Sequence, residues 1–169
     1  MTEFQAAILV EGLKRLPDQN RQRDENAIYI NSLLNELPGI KPMRRDERET
    51  KEAYFNFSFR YIRNQFRDLP AIKFREALSS ELGLEVEASY EPLNQCSLYV
   101  PLTKPARHKL NDKFWEALDP SRFHLPVCEK IYHEESVCFH HKILRGSKAD
   151  MDIVVEAIKK IHDNVEELI

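Results

Sequence analysis

Five cysteine and histidine side chains lie near one another in the C-terminal part of the sequence and could bind a metal ion. They are Cys128, His133, Cys138, His140 and His141. Thiolates and imidazoles are common zinc ligands, but recognised zinc sites space them in short patterns such as CxxC or HExxH. The spacing here matches none of these patterns. We therefore predict ordinary cysteines and histidines and no metal site.

The residues alone indicate no nucleophilic catalysis and no phosphate-binding loop. There is no GxSxG motif, none of the three cysteines lies in a known nucleophile context, and the histidines have no evident partner. The four glycines form neither a GxGxxG nor a GxxxxGK[ST] pattern. We assign no catalytic residue from the residue types and their spacing.

An alternating aromatic segment at residues 54–61 could stack on nucleic-acid bases or pack in a core. One face of the segment would carry Phe55, Phe57, Phe59 and Tyr61, and the opposite face would carry Tyr54, Asn56, Ser58 and Arg60. Base stacking requires exposed aromatic rings in a basic groove, whereas the net charge is −3 and Glu85 and Glu87 occupy the next predicted strand. We favour a strand with one buried apolar face and no nucleic-acid partner.

Length and composition are those of a globular domain. The chain has 169 residues, of which 42% are hydrophobic and 31% are charged, enough for one domain with a core. An odd number of cysteines without CxxC spacing argues against a disulfide scaffold. The apolar runs are too short to span a membrane, and no signal peptide is visible, so we expect a cytoplasmic protein without a membrane partner.

The first forty residues predict a long helix in two parts. Residues 2–5 form a capping box, and an apolar face follows as far as Leu16. Pro17 lacks an amide hydrogen, so we expect a break or kink there before a second part at residues 18–37. The polar belt at residues 19–26 need not be buried, as in an element that bridges two bodies.

The remaining pattern alternates between short strands and helices. We expect a solvated connection at 41–52, strands at 54–61, 84–88 and 137–142, and helices at 70–82, 127–135 and from a capping box at 147–150 onward. Residues 91–125 are irregular except for a short helix near 111–118. The predicted fold class is α+β: a small, largely antiparallel sheet of three strands with helices packed on one face, preceded by a long kinked N-terminal helix.

Four segments, in this order, resemble one family along nearly the whole chain. They are MTEFQAAIL with RQRDENAIYINSLLNELPGI, then AYFNFSFRY, then ELGLEVEASYEPL, and finally EESVCFHHKILRGSKADMDIVVEAIKKI. These segments resemble the C-terminal, small-domain half of DegT/DnrJ/StrS-type aminotransferases, which are fold-type-I pyridoxal-phosphate enzymes acting on keto-sugars and cyclic ketones. The resemblance places residues 1–40 in an interdomain helix and residues 41–169 in the small domain.

The resemblance implies that the cofactor is bound elsewhere. In the family, the Schiff-base lysine and the aspartate that pairs with the pyridine nitrogen precede the MTEFQAAI segment, so no lysine of this chain takes that role. The expected partners are a large domain that binds pyridoxal 5'-phosphate, a second subunit of a homodimer, a cyclic ketone, and glutamate or glutamine as amino donor. We expect the isolated chain to be inactive, to bind no cofactor, and to self-associate through its exposed apolar helix face.

Three residues are carried over as substrate-side candidates. Tyr90 lies in the loop after the second small-domain strand, His141 matches a strand-end histidine, and Tyr54 lies at the start of the first strand. Phe55 stands where many members have histidine and His140 where proline is common, so neither is given a role. The AYFNFSFRY segment resembles the cyclitol and aminobenzoate branches of the family slightly more than the other branches.

A different class of function stays open. The same fold could be a stand-alone, non-catalytic interaction module that has lost its enzymatic partner domain. Both hypotheses explain the helix face and the long irregular segment, and a metal-dependent enzyme is a third alternative that rests only on the cysteine and histidine cluster.

Overall fold

A computed structural model describes residues 1–99 and 111–169. Its α-helices are α1 (Glu3–Leu34), α2 (Ala71–Leu82), α3 (Asp112–Ala117), α4 (Pro126–Lys130) and α5 (Lys148–Asp163). Its strands are β1 (Ile40–Pro42), β2 (Asn56–Tyr61), β3 (Val86–Glu87) and β4 (Ser136–His140). The predicted α+β class is confirmed. The central part of the predicted irregular segment, residues 100–110, lies outside the described residues.

The sheet of the described residues has four antiparallel strands in the order β1-β2-β4-β3, so the predicted count of three is wrong. The missed strand is β1, in which Ile40 pairs with Tyr61 and Pro42 with Phe59. Because β1 is only three residues long and borders a charged segment, it carries no periodic pattern of its own. It forms at the edge of the sheet, where a proline is tolerated.

The aromatic side of β2 confirms the predicted core strand, with one exception. Phe57, Phe59 and Tyr61 are buried, but Phe55 is 73% exposed. The alternation fails there because β2 begins only at Asn56 and because Tyr54 has a left-handed backbone (φ 48°), which turns the chain just before the strand. The prediction that Phe55 shares the buried face is therefore wrong.

Helix α1 continues through Pro17, so of the predicted break or kink the break is absent. The Thr2 and Gln5 capping box is present as predicted, and the helix ends at Leu34, three residues earlier than expected. Pro17 is exposed, and water can satisfy the carbonyl group that the missing amide leaves free. Buried side chains of α1 begin only at Arg23, and the turns before Arg23 project with their apolar side chains exposed.

Helices α2 and α5 complete the core with α1 and one face of the sheet. In α2, Phe74 and Leu78 are buried, whereas Ile72 is 56% exposed. The predicted capping box of α5 is confirmed, since the Ser147 side chain accepts from the Asp150 amide. The apolar stripe of α5 is buried along its length. Across the described residues, none of the helices is long and apolar enough to cross a membrane.

Candidate functional site

The face of the sheet opposite the core carries polar side chains and forms an open cavity. Because Ser58 and Glu87 both pair with Cys138 in the sheet register, the three side chains share this face. A cavity of about 430 Å³ lies over them and is also lined by Asn56 and Tyr132. Amide, hydroxyl and carboxylate groups of this kind can accept and donate hydrogen bonds to a hydroxylated ligand.

Tyr90, a predicted substrate-side residue, lies at the rim of this cavity. It is 77% exposed and follows β3, whose Glu87 lines the same cavity. The loop that continues from Tyr90 is held against α4, because the Asn94 Nδ2 group donates to Glu129 Oε1 at 2.8 Å. The Leu125 amide also donates to Glu129 and is the first cause of the lowered pKa of that carboxyl group. The backbone is therefore anchored while the Tyr90 ring stays free to contact a ligand.

Tyr54 lines a neighbouring cavity of about 240 Å³. The two cavities share Asn56 and Ser58, so Tyr54 and Tyr90 border one continuous polar surface. The Tyr54 hydroxyl lies 3.3 Å from Asp24 Oδ1, which also accepts from Arg45 at 2.7 Å. Burial is the first cause that raises the pKa of Tyr54, and nearby carboxylates add to it, so the hydroxyl stays protonated and can donate.

His141 lies immediately after β4, at the start of a 3-10 turn spanning His141–Arg145. The strand predicted at 137–142 ends at His140, so His141 lies outside it, and the ring centroids of His140 and His141 are 4.2 Å apart. Burial lowers the pKa of His141, and the charges of His140 and Arg23 lower it further. His141 Nδ1 is buried and has no hydrogen-bond partner among the described residues.

Two residues of the polar belt at 19–26, which was predicted not to need burial, are buried. Arg23 is 8% exposed and Asn26 is 5% exposed. The Asn26 Nδ2 group donates to the carbonyls of Leu144 (3.0 Å) and Gly146 (2.8 Å), which fixes the turn after β4 on the helix. The sequence spacing could have indicated this burial. Arg23 lies four residues before the buried Ala27, and Asn26 lies four residues before the buried Ile30, so each shares a helix face with a core residue.

The cysteine and histidine side chains near the C-terminal end are dispersed in the fold. Cys128 is exposed on α4, whereas Cys138 lies on the open face of the sheet. Burial raises the pKa of the Cys138 thiol, which keeps it protonated and a poor nucleophile. Within residues 1–99 and 111–169, no three histidine, cysteine or acidic side chains are grouped closely enough to hold a metal ion.

The fold is that of solved aminotransferases. The crystal structure of 3-amino-5-hydroxybenzoic acid synthase superposes with a TM-score of 0.64 at 23% identity, covering 92% of this chain and 36% of that one. The aminotransferase TlmJ from Streptoalloteichus hindustanus superposes with a TM-score of 0.56 at 21% identity, covering 88% of this chain and 33% of that one. Both similarities concern the fold alone.

The chain belongs to the DegT/DnrJ/EryC1/StrS aminotransferase family, whose model matches residues 1–141. It is 37% identical over 161 residues to L-glutamine:2-deoxy-scyllo-inosose aminotransferase of Streptoalloteichus tenebrarius. It is 32% identical over 168 residues to L-glutamine:scyllo-inosose aminotransferase of Streptomyces griseus. These alignments cover 95% and 99% of this chain but only 37% and 39% of the relatives.

The family depends on pyridoxal phosphate, but the open cavity does not fit that cofactor. The cavity contains the carboxylates of Glu87 and Glu91, and neither a lysine amine for an imine nor an arginine for a phosphate lines it. Acidic side chains would instead repel the phosphate group. The amide of Asn56 and the hydroxyl of Ser58, which line both cavities, can bind hydroxyl groups of a ligand.

Proposed function

We propose that this chain is the C-terminal part of a pyridoxal-phosphate-dependent aminotransferase that aminates a cyclic ketone. Residues 1–40 would connect to a large domain that binds the cofactor, and residues 41–169 would form the small domain. The observation that carries this proposal is the family match over residues 1–141, together with a chain that spans little more than a third of the matched relatives. In the complete enzyme the cofactor, when bound, would carry the amino group between donor and ketone.

The role proposed for the chain's own residues is to bind and orient the ketone. The Asn56 amide, the Ser58 hydroxyl and the Glu87 carboxylate lie on one surface and can pair with several ring hydroxyl groups at once. The exposed Tyr90 ring can cover the apolar face of such a ring, and the Tyr54 hydroxyl, which donates its proton to Asp24, can accept a hydrogen bond from a ring hydroxyl group. His141, in the turn after β4, would act as a neutral hydrogen-bonding group.

The substrate we propose is a polyhydroxylated cyclohexanone, with an amino acid as donor. Support comes from the names of the relatives, which aminate scyllo-inosose compounds with L-glutamine. The amide and hydroxyl groups of Asn56 and Ser58 agree with a ring that carries hydroxyl groups, and the carboxylates of Glu87 and Glu91 in the same cavity disfavour a phosphate. Glutamine is favoured as donor by the same relatives, and glutamate is the alternative.

We also propose that the active enzyme is a homodimer and that the isolated chain neither transaminates nor holds the cofactor. The exposed apolar side of the first turns of α1, which includes Phe4 and Ile8, supports a role in contact with another domain or subunit. A stand-alone interaction module would use the same surface, so activity decides between the two functions.

A chimera tests the proposal directly. The C-terminal segment of the S. tenebrarius relative is replaced by this chain, and the purified protein is loaded with pyridoxal phosphate. L-Glutamine should then convert the absorbance of the imine form to that of the amine form, and a cyclic ketone should reverse it. Tyr90→Ala, which removes the ring, and His141→Ala should lower turnover, whereas the control Tyr29→Phe, which removes a hydrogen bond to Asp152 outside both cavities, should not.

The contrary result is a chimera that is folded, dimeric and loaded with cofactor but does not respond to amino acid or ketone. Such a protein would favour the interaction module. Thermal unfolding and cofactor absorbance of each variant separate loss of the site from loss of the fold.

A further inference from the structure

Arg23 is a buried guanidinium group without a carboxylate partner among the described residues. Its Nη1 atom donates to Asn20 Oδ1 at 2.8 Å, but its Nε atom is buried and has no hydrogen-bond partner in residues 1–99 and 111–169. Leaving a buried charged donor unpaired costs free energy, and an anion that reaches the group would offset this cost.

The turn after β4 brings more positive charge to the same place. Gln22, the neighbour of Arg23, donates to the Arg145 carbonyl at 3.0 Å, and Arg145 Nε donates back to Gln22 Oε1 at 3.1 Å. Arg23, Lys142 and Arg145 are each close enough to His141 to lower its pKa electrostatically. Lys142 and Arg145 are exposed, so their charges can reach a ligand from solvent.

The acidic residues that follow Arg23 and Arg145 most closely in the sequence make their contacts with other groups. Asp24 accepts from Arg45 at 2.7 Å, and Glu25 lies 4.0 Å from Arg21. Asp150 accepts from the Ser147 amide at 2.6 Å as part of the cap of α5. None of these carboxylates is placed by a contact of the described residues to neutralise Arg23.

We propose that Arg23, His141, Lys142 and Arg145 form a binding site for a small oxyanion, either a carboxylate or a phosphate. Arginine presents several N–H donors in a fixed plane, which match the paired oxygens of both groups. Lysine and the second arginine would add charge at the entrance, and His141 would contribute an imidazole nitrogen. The site lies on the α1 side of the turn, and neither Arg23 nor His141 lines the cavity over the open face. The proposal does not depend on aminotransferase activity.

The test is a titration of the whole chain with acetate and, separately, with inorganic phosphate, at constant ionic strength set by sodium chloride. The ring proton signals of His141 are followed by NMR as a function of anion concentration and pH. An anion bound beside the imidazole stabilises the imidazolium, so we expect saturable shifts and a higher pKa of His141. Saturation by acetate alone assigns a carboxylate ligand, and saturation by phosphate alone assigns a phosphate ligand.

Variants separate a built site from general charge attraction. Arg23→Gln should weaken anion binding by about tenfold or more, because it removes a hydrogen bond to a charged group. Lys142→Gln should weaken it less, and Lys73→Gln, an exposed lysine of α2, should leave it unchanged. Since Lys142 is exposed, its variant keeps the test informative if Arg23→Gln does not fold.

The proposal is overturned if neither anion gives a saturable shift, or if the Lys142 and Lys73 variants respond alike. It is also overturned if folded Arg23→Gln binds as tightly as the unsubstituted chain. None of these outcomes bears on the chimera, whose activity tests the proposed function separately.

Discussion

His141 obtains its chemical character from burial, from neighbouring residues and from one residue far away in the sequence. Burial, the adjacent His140 and the Arg23 guanidinium from α1 all lower its pKa. The imidazole is therefore neutral near pH 7 and can accept a hydrogen bond through one nitrogen. Its position at a strand end followed from the family resemblance, but its cationic surroundings could not be predicted, since they depend on how α1 packs on the turn after β4.

We predict that His141 makes the fold less stable as the pH falls from about 7 to about 5. A histidine whose folded pKa is lowered takes up its proton first in the unfolded chain, so protonation favours unfolding as the pH drops through the ordinary histidine pKa. Urea unfolding at the two pH values should show a smaller pH dependence for His141→Asn than for the unsubstituted chain. His133→Asn, on an exposed surface next to Gln95, serves as the control. An identical pH dependence with and without His141 would disprove the lowered pKa.

At the scale of elements, periodic patterns predicted the structure where a segment is long enough to bury a face by itself. The period of two in β2 and the final helix from its capping box were confirmed, because burial of their own apolar side chains determines both elements. The two-residue β3 and three-residue β1 depend on register with neighbouring strands, so their limits could not be predicted from their own residues. Of the break or kink predicted at Pro17, the break does not occur, because the exposed helix tolerates one missing backbone hydrogen bond.

The side chain of Asn26 should hold α1 to the turn after β4. It satisfies the carbonyls of Leu144 and Gly146 in a buried position, so Asn26→Ala leaves two acceptors without this donor. We expect the free energy of unfolding, measured with urea, to fall by about 1–3 kcal/mol. Ser32→Ala on the same helix removes only an exposed hydrogen bond to Tyr29 and should change it much less. Equal effects of the two substitutions would show that the contact with the turn contributes little.

At the scale of the whole molecule, apolar side chains are buried in the core but exposed on the projecting first turns of α1. The core includes α1 only from Arg23 onward, while Phe4 and Ile8 are 75% and 56% exposed. The sequence showed the apolar helix face, and the family resemblance implied that it would be exposed, but neither indicated at which residue the burial of α1 begins. Only the packing of α1 on α5 and on the turn after β4 reveals where its burial begins.

We predict that the isolated chain self-associates through this helix face. Replacing both Phe4 and Ile8, which are one turn apart, by glutamine should shift sedimentation-velocity profiles toward the monomer, because apolar contact area is lost. Ile153→Gln on α5 also replaces an exposed apolar residue and provides the control. Association that persists unchanged in the Phe4 and Ile8 variant would place the contact elsewhere.

The order of the strands limits how copies of this chain can join. In the described sheet the two outermost strands are β1 and β3, which are three and two residues long, and β1 ends in a proline without an amide hydrogen. An extended chain that approaches either edge would find very few unpaired backbone N–H and C=O groups with which to pair. Fibril growth by strand addition is therefore disfavoured at both edges of the sheet. At high concentration, molecules of this protein should therefore associate reversibly through their helices and should not form amyloid fibrils.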